Sequence, residues 1–152
     1  MKDTASFDHV DVAMCITRKA GEESEYLILR KAAVYQVQRG RYDENPWEVP
    51  GGKIELDKQD YTSEDIAEEA LRKLREETGL LGDVINADPA NHFKVEIDDV
   101  WHCFYPCLLE VLSDKDVRLS ENEHDDYAWV SSDEFEDVMT DVEIQGLQQA
   151  TR

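Results

Sequence analysis

Four glutamates, Glu64, Glu69, Glu76 and Glu77, lie in one helix-forming stretch with Arg72 and Lys73. The stretch follows the turn Trp47-Glu48-Val49-Pro50-Gly51-Gly52-Lys53-Ile54-Glu55. Carboxylates on one side of a helix can hold a divalent cation, and a hard cation held by oxygens can be set against phosphate. A glycine pair ahead of such a helix lets the backbone approach a metal or phosphate closely. Gly51-Gly52 also reads as a plain turn between two strands. On a helical wheel Glu69, Lys73, Glu76 and Glu77 project to one side. Lys73 is four residues from both Glu69 and Glu77, so it can pair with either.

The element that must carry these groups is the clearest in the chain. Thr62 has the chemistry of a helix cap, and Asp65, three residues on, can reach back to complete a capping box. Ile66, Ala67, Ala70, Leu71, Leu74 and Thr78 form one stripe at helical spacing, which turns that face to the core. Gly79 ends the helix as a left-handed cap. Before it, Val10 to Ile16 and Tyr26 to Leu29 read as strands separated by the polar turn Thr17 to Ser24. Ala32 to Gln38 either continues the second strand or forms another. Gly40 to Pro46 is turn-rich, Trp47 starts a new element, and Lys53 to Leu56 reads as a brief strand.

After the helix, Val84 to Ile97 reads as strand, broken at Pro89-Ala90-Asn91. In Trp101 to Leu112, the residues Trp101, Cys103, Tyr105, Cys107, Leu109 and Val111 share one strand face, and Pro106 suggests an edge position or a bulge. Ser113 to Asp126 reads as a long acidic loop and Tyr127 to Val130 as a short strand. Ser131 or Ser132 can cap a helix over Glu134 to Met139, and a last helix runs from Val142 to Ala150. Strands mixed with a few helices imply an α/β domain with helices on the faces of a mixed sheet.

The whole-chain properties narrow the function. A length of 152 residues fits a single domain spanning 1–152, long enough for a proper core. With 36 acidic and 16 basic residues the net charge is −20, which disfavours nucleic-acid polymers and anionic membranes as partners. A small anionic substrate can still bind where metal ions and local arginines reverse the field. The acidity itself reads first as a solvated surface, with adaptation to high salt as the alternative. No apolar run approaches a membrane span, and the N-terminus opens into a strand-like segment without a signal-peptide core. Cys15, Cys103 and Cys107 are an odd number of thiols, so a reduced cytoplasmic setting is expected. Cys103 and Cys107 read as core thiols, with no second CxxC or histidine pair to complete a zinc tetrahedron. His9, His92 and His102 have no partners readable from sequence.

The turn and helix together resemble the Nudix box. Anchored at its C-terminal end, the box is met in register by Arg72, Leu74, Glu76, Glu77, Gly79 and Leu80, with seven residues between Glu64 and Arg72. Eleven residues instead of five separate Gly52 from Glu64, the extra six falling around Leu56 to Tyr61, where insertion costs little. Lys73 stands where the family has the glutamate of its Arg-Glu pair. Glu123-His124-Asp125-Asp126-Tyr127-Ala128-Trp129 is also similar to a segment near the end of many Nudix hydrolases.

The resemblance implies a Nudix-type α/β/α sandwich and a pyrophosphohydrolase of a nucleoside di- or triphosphate or related diphosphate-linked small molecule. It implies Mg²⁺ or Mn²⁺ held by Glu76 and Glu77, with Glu64 or Glu69 as further metal ligands. Arg72 would orient the helix carboxylates, and a carbonyl of the Gly51-Gly52 loop would join the metal or phosphate site. Arg30 would contact phosphate, its other reading being a solvated strand end. Glu123 would act as general base, its other reading being part of a solvated acidic loop. Two roles stay open for Lys73. It replaces a second cation beside the phosphates, or it belongs to a structural ion network in a weakly active or inactive domain that binds a nucleotide, metabolite or protein. The loop Ala33 to Pro46 is expected to shape the base or sugar pocket, and the family leaves a homodimer open.

Overall fold

The computed structural model describes residues 9–33, 45–56, 58–112 and 115–152. Strands β1 (His9–Lys19) and β2 (Glu22–Lys31) form a hairpin that pairs at Arg18↔Tyr26 and Lys19↔Glu22. Gly21, at φ 80°, takes the left-handed position in the connecting turn. Further along, the segment after Pro46 runs between the two strands. β3 (Trp47–Glu48) pairs with β2, and β4 (Gly51–Lys53) pairs with β1 through Val12↔Lys53 and Met14↔Gly51.

On its other side β1 runs parallel to β7 (Val100–Val111) from His9↔Trp101 to Lys19↔Val111. β5 (Asp83–Asn86) and β6 (Phe93–Ile97) both pair antiparallel with β7, separated by a 3₁₀ turn at Pro89–Asn91. β8 (His124–Ser131) pairs antiparallel with β2. The sheet is therefore mixed, as expected.

Alternation along the central strands divides the interior into two cores. Ala13, Cys15, Leu27, Leu29, Cys107 and Leu109 pack with Ile66, Ala70 and Leu74 of helix α1 (Ser63–Thr78). Met14, Ile16, Tyr26, Ile28 and Leu108 point the other way. They pack with Phe135 of helix α2 (Ser132–Val138) and Leu147 and Ala150 of helix α3 (Asp141–Ala150). The result is an α/β/α sandwich. Among the described residues no helix is long and apolar enough to cross a membrane.

Helix α1 has the expected ends: a capping box between Thr62 and Asp65, and Gly79 in the left-handed region at φ 74°. Several other expectations need correction. The strand expected at Lys53 to Leu56 lies earlier, at Gly51–Lys53, because the glycines themselves pair with β1. The polar turn expected over Thr17 to Ser24 is mostly strand, since hairpin pairing extends almost to Gly21. β7 is central, not an edge. Pro106 lies opposite Met14, at the interval where β7's other neighbour changes from β6 to β5. Asp126 and Asp125 belong to β8, so the acidic loop ends at Glu123; pairing with β2 overrides the polarity of these residues. Residues 34–44, and with them most of the expected pocket loop, lie outside the described residues.

One buried charge ties α3 to the turn between β3 and β4. Glu143, in the first turn of α3, accepts from Val49 N at 2.8 Å and from the hydroxyl of its cap Thr140 at 2.8 Å. Burial, above all, raises its carboxyl from 4.5 to about 7. The folded state then holds this proton between about pH 4.5 and 7 while the unfolded chain releases it. Stability from this group is therefore complete at low pH and falls as pH rises through that window. Glu143→Gln keeps an acceptor for Val49 N without the charge. In thermal melts it is expected to be more stable than the native chain at pH 8, by on the order of 2 kcal/mol, with the difference shrinking towards pH 5.

Candidate active site

The site begins with a carboxylate placed against a glycine. α1 packs its apolar stripe on the sheet, which brings its last turn over the turn before β4. There Gly51 N donates to Glu77 Oε1 at 3.1 Å. Gly51 has φ 148°, and a Cβ built on it would lie 2.2 Å from the Ala13 carbonyl oxygen, so only glycine fits this approach. Burial raises the Glu77 carboxyl from 4.5 to about 7. Glu48 and Glu123 push it the same way, while the Gly51 N–H and His124 hold it back.

The facing wall comes from β2, β3 and β8. Leu29 faces the α1 core and is paired with Glu48, while Lys31, two residues on, is paired with His124. These side chains therefore share the face that carries Glu77. His124, 2 % exposed, has Nε2 2.7 Å from Glu48 Oε2, and its buried Nδ1 has no hydrogen-bond partner among the described residues. Burial pulls the imidazole pKa down, but the Glu48 hydrogen bond and the charges of Glu48, Glu77 and Glu123 outweigh it and leave the pKa raised. Lys31 Nζ is 3.8 Å from Glu48 Oε1. The half-buried Glu123 precedes β8, and its backbone carbonyl accepts from Ala32 N at 2.8 Å.

A second ionic group runs along the outer edge of α1. Arg72 bonds Glu69 at 2.9 and 3.1 Å and Glu76 at 2.8 Å, and lies 3.8 Å from Glu55. Glu69, 5 % exposed, also accepts from Glu55 N at 3.1 Å. Lys73 pairs with neither helical neighbour. Arg72 and Glu55 N bond Glu69, and Glu77 accepts one bond, from Gly51 N. The largely buried Lys73 instead stretches to within 3.9 Å of Glu55 Oε1, and its Nζ lies 3.5 Å from where a Gly52 Cβ would be.

The residues picked out from sequence thus separate into groups. Gly51, Glu77 and Glu123 lie together, and Gly52 lies beside Lys73. Glu69, Arg72 and Glu76 form the adjoining ion network. Glu64 is exposed in the first turn of α1, thirteen residues and about 20 Å of helix rise from Glu77, so the two cannot share one ion. Arg30 is directed elsewhere. It pairs with Asp125 at 2.7 Å and lies 6.0 Å from the ring of Trp47, which packs in the core beneath α2 and α3. Glu48 and His124 had no role assigned from sequence. Both stand inside the two segments that carry the resemblance, and a glutamate within an otherwise apolar turn was the available signal.

A family model described as NUDIX domain matches residues 8–147. A comparison with curated proteins finds no match. Among solved structures, the chain is similar to an Ap4A hydrolase binary complex from C. elegans (17 % identity, 93 % of this chain and 95 % of that one, TM-score 0.68). It is similar to a MutT protein from Methanosarcina mazei Go1 (20 % identity, 94 % of each chain, TM-score 0.60). It is also similar to the E. coli ORF135 protein (19 % identity, 94 % of this chain and 89 % of that one, TM-score 0.63). At these identities the likeness concerns the fold.

The two glycines should differ in what they tolerate. Gly51→Ala must displace the Ala13 backbone and is expected to cost about 3 kcal/mol or more in denaturant unfolding. Gly52→Ala meets only the flexible end of Lys73, so its smaller cost is the strain of φ 155°.

Proposed function

This chain belongs to the NUDIX domain family, and from that premise we propose that it is a metal-dependent pyrophosphohydrolase of small nucleotides. Its substrate is a nucleoside di- or triphosphate or a related diphosphate-linked molecule. The observation that carries the reading is Glu77, a carboxylate held on the Gly51 N–H and crowded by Glu48 and Glu123. Like charges gathered in a partly desolvated place repel one another, and a divalent cation relieves that repulsion. The donors are hard oxygens, which suits Mg²⁺ or Mn²⁺. Glu77 with Glu76 would hold the ion, hard carboxylate oxygens that fit it.

When bound, such a cation neutralises phosphate charge and acidifies water in its coordination shell. The chain's own groups supply the remaining work. Arg72 fixes Glu69 and Glu76 so that they need not reorganise when substrate arrives. Lys73, beside Gly52, presents positive charge to a phosphate lying over the glycine turn. Glu123 accepts a proton from the attacking water. The His124–Glu48 hydrogen bond holds the wall opposite Glu77. Attack on the phosphorus breaks the phosphoric anhydride bond and needs no covalent enzyme intermediate.

The net charge of −20 supports a small substrate over a nucleic-acid polymer, and the three buried unpaired thiols support a cytoplasmic setting. One fold relative is named for Ap4A hydrolysis, so dinucleoside polyphosphates join nucleotides and nucleotide sugars in the first substrate screen. A second reading, a binding domain without turnover, draws on Lys73.

A phosphate-release screen with Mg²⁺ and Mn²⁺ tests the first reading, and Lys73→Glu separates the two. If Lys73 carries phosphate charge, the change lowers turnover by about tenfold or more, most steeply at low Mg²⁺. An increase in turnover, with tighter Mg²⁺ binding, would mean that the lysine blocks a metal position.

A further inference from the structure

A second group of ligating atoms lies at the far end of β1, where the parallel register sets Asp11 beside Cys103 of β7. His9 precedes Asp11 by two residues and shares its face of the strand. A ring nitrogen of His9, a carboxylate oxygen of Asp11 and Cys103 Sγ all lie within 4.8 Å of one another. None of these residues belongs to the Glu77 group or to the Arg72 network.

The simplest account is a core thiol next to a histidine–aspartate ion pair, and it leaves one atom unexplained. His9 Nε2 lies 2.8 Å from Asp11 Oδ1 as an ion-pair contact that is not an aligned hydrogen bond. That buried oxygen therefore has no hydrogen-bond partner among the described residues. The other oxygen, Oδ2, is occupied by the Tyr61 hydroxyl at 2.6 Å. Oδ1 thus presents an unused acceptor to the two other donors, and an unsatisfied buried carboxylate oxygen is costly. His9 and Asp11 line a cleft with Lys53, Ile54, Lys58 and Tyr61, where Lys58 is drawn towards Asp65 at 2.9 Å, and the buried Cys103 lies behind them.

We propose that His9, Asp11 and Cys103 form a binding site for a borderline-soft divalent transition cation, zinc first among them. One nitrogen, one oxygen and one sulfur ligand suit zinc and do not suit Mg²⁺. Ligands around a tetrahedral zinc stand about 3.5 Å apart, so closure requires shifts of about 1 Å. His9, at the exposed start of β1, is free to make them. Three protein ligands beside a cleft leave a fourth position for water or an exchangeable ligand. The Tyr61–Asp11 hydrogen bond connects this site to the segment that leads into α1. The ion therefore braces β1, β7 and the approach to the carboxylate helix at one point.

Cobalt(II) tests the site, because thiolate ligation gives a charge-transfer band and tetrahedral geometry gives strong visible absorption. Titration of the full chain with Co²⁺ is expected to saturate at one equivalent with both signals, to be reversed by Zn²⁺, and to resist a large excess of Mg²⁺. Cys103→Ser should abolish the charge-transfer band, and His9→Gln and Asp11→Asn should each weaken binding by about tenfold or more. Cys107→Ser and Glu77→Gln should leave the band unchanged, which keeps the result independent of the hydrolase reading. Circular dichroism establishes that each variant is folded. His9→Gln alters only a half-exposed side chain, so it remains informative should Cys103→Ser fail to fold. A folded native chain with no thiolate band, or a band that survives in Cys103→Ser or is undiminished in His9→Gln, overturns the proposal.

Discussion

The site depends on a backbone contact that tolerates no side chain. β1 and β2 leave their hairpin and separate, and the turn through Pro50 and Gly51 enters the space between them, with Cys15 N donating to Pro50 O at 2.8 Å. Gly51 rests against Ala13, and its N–H turns up to the last full turn of α1. Without this close approach Glu77 would lose its donor, and Glu48 would lose the β3 position that sets it beside His124. Glu143 supports the same turn from below through Val49 N, so a buried acid on either side of the sheet holds one loop.

Electrostatics divide the carboxylates near that loop into two kinds. Glu69 is buried and satisfied by Arg72 and Glu55 N, while Glu76 shares Arg72 through one oxygen from a more exposed position. Glu77 is different. Among the described residues it has a single N–H donor and acidic neighbours, and burial raises its proton affinity. Lys73 is nearby but spans to Glu55, so it lends positive field without forming a direct pair with Glu77. A site that stabilises its own ions fully has little left for a ligand, and here the incomplete part is confined to one place.

What could be read from the chain was mainly local. Thr62, Asp65, the apolar stripe and Gly79 delimit α1 through chemistry within one helix, and the structure agrees with each of them. The resemblance placed Glu77 and the glycine turn in one site. Tertiary pairing accounts for the departures. β8 starts at His124 because β2 supplies hydrogen bonds to a polar segment, and Pro106 fits a central strand because the partner on one side changes there. Glu48 meets His124 across 76 residues, Glu143 meets Val49 across 94, and Asp11 meets Cys103 by strand register; none of these has a periodic signal. Lys73 illustrates the limit of helical spacing. Both expected partners were at the right distance along the helix, yet the lysine extends to Glu55 instead.

The central claim is that Glu77 binds the divalent ion that the crowded carboxylates require. Calorimetric titration of Mg²⁺ into the native chain and into Glu77→Gln, at pH 8 where the native carboxyl is ionised, tests it directly. The amide keeps an oxygen for Gly51 N and removes the charge. The account expects a folded variant whose Mg²⁺ affinity falls by about tenfold or more. A folded Glu77→Gln that binds Mg²⁺ as tightly as the native chain would contradict it.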